Sequence, residues 1–296
     1  MKSAAALSPE KPESVLEDVL VLVKARLSLL VLLTTLVGFL LGWRGPLDWL
    51  RLIAALTGTA LCAGGASALN QWWERDLDAL MKRTRARPLP ARRMQPLDAL
   101  LFGLFFSVAG VAVLGFFANP RAAFLAFAAI TIYILVYTPM KRWSTLNTLV
   151  GAVPGALPPL IGWVAARGNY EFEGCLLFAV LWFWQMPHFL AIAWLHRQDY
   201  ADAGCVMITG NDLEGGIASR QALLYSLCLL VVTLLPGLAG FNSPLYFFAA
   251  LVLGTAFCSM AMSFVFYRDR PAARRLFFCS ILYLPLLLGV LVATTR

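Results

Sequence analysis

Asn70, Glu74 and Asp78 recur at every fourth position in the run NQWWERDLDALMKRTRARPLP, residues 70–90. On a helix they share one face, about 6 Å apart per step with a drift of about 40°. Two carboxylates and an amide oxygen make a hard, oxygen-only donor set, which suits Mg²⁺. Arg83 and Arg87 follow, interleaved with Lys82 and Arg85. Guanidiniums at that density suit phosphate oxygens. Carboxylates for a divalent ion beside guanidiniums for oxyanions describe a diphosphate site. Taken alone, Glu-x-x-x-Asp reads as solvated surface. Here, however, residues 50–69 are almost wholly apolar. The acids therefore stand at the mouth of an apolar segment, where like charges repel unless neutralised and ionisable groups mark function.

Three further constellations could contribute. His188, His196, Arg197, Asp199, Tyr200 and Asp202 cluster around the end of a second apolar run. Asp199 and Asp202 could serve a metal, or the stretch could be a solvated loop stopped at Gly204. His188, in WFWQMPHFLAIAW, puts an imidazole inside an apolar helix beside Gln185. That is uncommon enough to flag, although a hydrogen-bonded core histidine is the commoner case. In YTPMKR, Lys141 and Arg142 read either as membrane anchors or as diphosphate ligands, and Tyr137 as a belt residue or a cation–π partner for a carbocation. NTLVGAVPGALPPLIG, residues 147–162, is rich in small residues and proline, which permit close helix contact or open a cavity.

These sites need an apolar scaffold. The 296-residue chain is 60% hydrophobic and 14% charged, with a mean hydropathy of +0.75, as expected of an integral membrane protein. The net charge of +8 fits loops facing anionic lipid and does not argue for nucleic acid. The six cysteines are scattered without a C-x-x-C pair, so buried thiols are expected rather than a disulfide framework or a zinc site. Nine segments approach the length of a membrane span: 27–43, 50–71, 97–117, 121–137, 145–165, 174–195, 221–239, 244–266 and 274–293. The fourth is short, and Pro154, Pro158 and Pro159 predict a kink in the fifth. Lys and Arg crowd one side: the N-terminus, the loops after segments two, four, six and eight. Only Arg44, Arg51, Arg121, Arg167 and Arg296 fall opposite. The bias places the N-terminus and the charged loops in the cytoplasm. Residues 1–22 are expected to form a flexible arm and 23–296 a single all-α membrane domain with a cytoplasmic cap.

NQWWERDLDALMKRTRARPL resembles the first acidic motif of the UbiA superfamily of intramembrane prenyltransferases. Met81–Lys82–Arg83–Thr84 with Arg87–Pro88–Leu89, YTPMKR, GAVPGALPPLIGW and WQMPHF resemble the haem-farnesylating branch of that superfamily, in order and over nearly the whole chain. The resemblance implies nine transmembrane helices around a central cavity, with two acidic regions facing each other across Mg²⁺ and diphosphate in the cell inner membrane. Carried over by position, Asn70, Glu74, Asp78 and Asp199 are the metal ligands. Arg83, Arg87, Lys141 and Arg142 hold the diphosphate, Tyr137 faces the cation, and His188 and Gln185 are candidates for haem contact. The implied substrates are farnesyl diphosphate and haem b, joined at a vinyl group with water addition to give haem O. A haem A synthase is a candidate partner. Two departures stand out: Glu74 replaces the Asp common among relatives, and Ala203 occupies a position where a D-x-x-x-D second motif needs an acid. Asp202 is one residue off, turned about 100° around a helix. The rival readings are prenylation of an aromatic quinone precursor and, from another class, a transporter or haem-handling assembly factor.

Overall fold

The computed structural model describes residues 14–210, 212 and 214–295. The first thirteen residues of the expected N-terminal arm lie outside them. Within the described part of that arm, Val15–Leu22 is a helix, α1. A capping box fixes its start: Glu17 N donates to Ser14 Oγ and Ser14 N to Glu17 Oε2. Its buried face carries Asp18, ion-paired at 2.8 Å to Arg93, whereas Val15, Leu16, Leu20 and Val21 point outward. Leu22 is buried beside Asp18, and the four outward apolar side chains suit a helix lying in a lipid interface.

The remaining helices are α2 Ala25–Gly42, α3 Trp49–Leu80, α4 Pro96–Val113, α5 Pro120–Thr131, α6 Thr138–Met140, α7 Asn147–Arg167, α8 Phe172–Leu195, α9 Arg197–Asp202, α10 Gly216–Leu238, α11 Pro244–Tyr267 and α12 Arg270–Thr294. A π-helical turn, Leu114–Ala118, extends α4, and another, Ile132–Tyr137, joins α5 to α6. Among the described residues nine helical stretches are long and apolar enough to cross a membrane. The protein is an all-α integral membrane protein, and the nine expected spans are present. The fourth runs Pro120–Met140, longer than the expected 121–137 because the π turn carries the helix through Thr138 and Pro139.

Helices α2, α3, α4, α5 and α7 pack in one group, α8, α10, α11 and α12 in another, and α7 against α8 joins them. The apolar windows of α7 and α3 are 67% and 61% buried, against 22% for the span containing α4. The proline-rich and acidic helices therefore form the centre. Backbone contact between α2 and α7 needs glycine: a Cβ at Gly38 would run into the Pro159 carbonyl, and one at Gly162 into the Thr35 carbonyl. This is the close helix contact anticipated for residues 147–162. Helix α7 passes through its three prolines as a single helix.

Candidate active site

Helix α3 is 32 residues long, about 48 Å. That exceeds the roughly 30 Å of hydrocarbon, so its last turns carry the acidic run beyond the apolar slab. Because the chain stays helical to Leu80, Asn70, Glu74 and Asp78 do share one face. All three are buried: Asn70 and Asp78 are 1% exposed and Glu74 6%. They line a cavity of about 520 Å³ walled by α2, α3, α5, α7 and α8.

Each buried acid has a cation. Lys141 Nζ donates to Glu74 Oε1 at 2.7 Å and Oε2 at 2.9 Å. Arg87 donates to Asp78 Oδ2 at 2.7 Å. Asn70 links the network. Its Nδ2 donates to Glu74 Oε2 at 3.0 Å and Thr138 Oγ1 at 3.1 Å, while its Oδ1 accepts from Lys24 Nζ at 3.0 Å and Tyr133 OH at 3.3 Å. Burial first, then the charges of Arg87 and Lys141, push the Lys24 ammonium down to about 7. Burial opposes charge on Lys141 as well, but Tyr137 and Glu74 outweigh it and hold that ammonium above the ordinary lysine range. The Lys141 Nζ lies 4.6 Å from the Tyr137 ring centroid, and Tyr137 stacks on Tyr133 at 5.5 Å. Both rings sit on the π turn, and Thr138 Oγ1 donates to the Tyr133 carbonyl at 2.8 Å. Widening one turn aims two tyrosines and a threonine at α3 together.

The loops after α3 and α8 cover the polar end. Leu77, Met81, Ala203 and Cys205 pack in one cluster with Tyr200 and Met207 against it. Arg83 lies 6.0 Å from the Tyr200 ring centroid. Val206 N donates to the Lys141 carbonyl at 2.7 Å, and its own carbonyl accepts from Asn147 Nδ2 at 2.7 Å.

The structure brings together Asn70, Glu74, Asp78, Arg83, Arg87, Tyr137, Lys141 and Gln185 around this cavity. Three expected site residues stand outside its walls. Helix α9 presents Tyr200 to the cavity and not Asp199, and among the described residues no group of three Asp, Glu, His or Cys side chains converges. The two acidic regions are not clustered. Asp202 accepts from Gln198 at 2.7 Å on the exposed side. Arg142 is exposed, one residue past the inward-facing Lys141. His188 turns from the cavity toward α12. Its Nδ1 meets Ser280 Oγ at 2.7 Å, and its ring stacks between Trp184 and Phe277, 5.1 Å from each. As the Ser280 hydroxyl already donates to the Phe277 carbonyl at 2.6 Å, the imidazole is the donor of that pair, as a structural histidine would be. Two residues were overlooked in the sequence: Lys24, which reads there as an anchor, and Tyr133, four residues before Tyr137.

The donor set fits a hard divalent cation. Three buried oxygen-bearing side chains line one wall, and the cationic partners of both carboxylates show how much positive charge that wall demands.

Residues 31–282 match the model of the UbiA prenyltransferase family. The chain is 45% identical over 277 residues to a protoheme IX farnesyltransferase of Opitutus terrae, covering 93% of both chains. It is 43% identical over the full length of both to another of Anaeromyxobacter sp.. Among solved structures, digeranylgeranylglyceryl phosphate synthase superimposes with a TM-score of 0.80 at 13% identity, over 94% of this chain and 97% of that one. A UbiA homolog from Archaeoglobus fulgidus bound to GPP and Mg²⁺ gives 0.65 at 15%, over 93% and 99%. At these identities the structures speak for the fold, while the family model and the sequence relatives speak for descent: the chain belongs to the UbiA prenyltransferase family.

Proposed function

We propose that the protein transfers the farnesyl group of farnesyl diphosphate to a vinyl group of protoheme IX, with addition of water, giving haem O. The relatives named protoheme IX farnesyltransferase, similar over nearly the whole chain, support the substrates. The observation that carries the reading is the division of one cavity into a polar end and apolar walls. Asn70, Glu74 and Asp78 meet Lys24, Arg83, Arg87 and Lys141 at the polar end. The remaining wall is mostly apolar, with Leu27, Val31, Ala126, Ile130, Ile161 and Phe189 among its side chains.

In this reading Asn70, Glu74 and Asp78 hold Mg²⁺, which when bound neutralises charge growing on the leaving diphosphate. Asp199 is not placed in that set, because Tyr200 and not Asp199 reaches the cavity. Lys141, Arg87, Arg83 and Lys24 supply the donors for phosphate oxygens. The farnesyl C1–O bond breaks and its electron pair leaves on the diphosphate. The Tyr137 and Tyr133 rings and the apolar walls border the allylic cation and keep stray water from it. The vinyl π pair closes the new carbon–carbon bond. Water then adds to the cation left on the haem side chain and releases a proton. Gln185 is the side chain we place beside the haem, since it lines the cavity and its amide is held in place by donating Nε2 to the Ala152 and Leu181 carbonyls. The lysine and arginine bias supports a cytoplasmic position for this polar end, and in this reading the membrane is the cell inner membrane.

The test is product analysis by chromatography and mass spectrometry. Purified protein in lipid receives Mg²⁺, farnesyl diphosphate and either haem b or an aromatic quinone precursor. Haem O is expected. Prenylated quinone precursor without haem O would transfer the reading to that acceptor, and no transfer to either would remove it.

A further inference from the structure

The cavity runs far deeper than a diphosphate needs. On α3 its lining continues from Asn70 through Ser67, Ala66, Ala63 and Cys62 to Thr59. These residues recur at helical spacing, so they form one stripe down one face. Thr59 and Asn70 are eleven positions apart, about 16 Å of rise. Beyond Thr59 the same face enters packed core. Leu52 and Ala55 join one buried cluster with Cys62, Ala126 and Ile161, and the last three also line the cavity. Along the span Pro120–Met140 the lining runs from Tyr137 on the π turn back to Ala126 on α5, another eleven positions, so two walls reach to a similar depth. The floor is apolar with one exception: the Thr59 hydroxyl is buried without a hydrogen-bond partner, whereas Thr57, Thr35 and Thr131 each bond the carbonyl four residues back.

We propose that Thr59, Cys62, Ala126 and Ile161 form a closed floor that sets the length of the prenyl chain the enzyme accepts. This rests on the diphosphate being held at Asn70, Glu74 and Asp78. A farnesyl chain has eleven backbone carbon–carbon bonds of about 1.5 Å, which extend roughly 14 Å. That spans the stripe with room for the linking oxygen. A geranylgeranyl chain has fifteen and extends roughly 19 Å, which overruns Thr59. A geranyl chain stops short and leaves the floor unfilled. Ala63, Ala66 and Ser67 are small because the tail must lie against them. Thr59 acts by bulk in this scheme, and its hydroxyl is not a ligand for an apolar chain end.

The experiment measures kcat/KM for geranyl, farnesyl and geranylgeranyl diphosphate with haem b on each intact protein. Ratios between chain lengths on one protein are insensitive to general loss of folded enzyme. In the wild type farnesyl should lead. Ala63→Phe should move the preference to geranyl. Thr59→Ala combined with Ile161→Ala should raise the geranylgeranyl-to-farnesyl ratio by about tenfold or more, since a single methylene misfit is worth about that much. Thr59→Val, which keeps the shape and removes the hydroxyl, should leave the ratios unchanged. Unmoved ratios in both bulk-changing variants would overturn the floor while leaving the transferase reading intact. A wild type that transfers none of the three chains would instead sink the transferase reading beneath it.

Discussion

Lys141 is the most informative single position. Its side chain is 18% exposed and that of its partner Glu74 7%, so the pair sits out of bulk water with two short contacts. Replacing Lys141 by Met keeps the length and removes the charge. Glu74 then retains the Asn70 amide at 3.0 Å but no ammonium. Removing one member of a buried pair costs about 3–5 kcal/mol, and the partial exposure of Lys141 puts the expected loss at the lower end, about 3 kcal/mol. Loss of a charge that stabilises the leaving group costs a further 10²–10³ in turnover, about 3–4 kcal/mol in the transition state. The two effects separate in a double variant. Adding Glu74→Gln removes the stranded carboxylate, so stability should largely return, while turnover stays down. The assay is a thermal unfolding series in one detergent beside haem O formation, arranged as a double-mutant cycle. Recovery of both stability and turnover in the double variant would show that Lys141 serves only to neutralise Glu74. Turnover unaffected by Lys141→Met would refute its place at the diphosphate altogether.

Other expectations follow from the same geometry. Asp78→Asn keeps size, removes the Arg87 partner, and should abolish turnover in a protein that still inserts; Asp199→Asn, on a side chain outside the cavity, should cost far less, and equal losses would restore Asp199 to the metal set. Chelation should stop transfer and added Mg²⁺ restore it, read as haem O formed before and after dialysis. His188→Ala should leave haem affinity and rate unchanged while lowering the melting temperature, because its contacts are Ser280, Trp184 and Phe277; a haem-binding loss at unchanged stability would contradict that. Gly38→Ala drives a Cβ into the Pro159 carbonyl and should abolish the folded protein, as seen by size-exclusion yield after extraction.

The spans were legible because each is an apolar run near the length of the bilayer, and the acidic face because helical spacing survives to Leu80. What sequence could not show depended on distant packing. Lys24 sits in the left-handed region at φ 49° between α1 and α2, and only that corner carries its ammonium to Asn70, 46 residues away. In sequence it is one more basic residue before a span. Tyr133 lies in an apolar run and gains its meaning from a π turn, which shifts the helical period and so defeats spacing arguments. Asp199 and His188 carry the right chemistry, but each faces away because a neighbour, Tyr200 or Gln185, takes the inward position. A period of 3.6 gives relative facing and leaves absolute facing to the partner helices.

The most direct measurement is binding of an unreactive farnesyl thiodiphosphate to wild type and Asp78→Asn, each with Mg²⁺ and with chelator. Tight binding by the wild type only with Mg²⁺, lost in the variant at an unchanged melting temperature, is the expected result. Equal binding by both proteins, or binding indifferent to the metal, would contradict a diphosphate held at the end of α3.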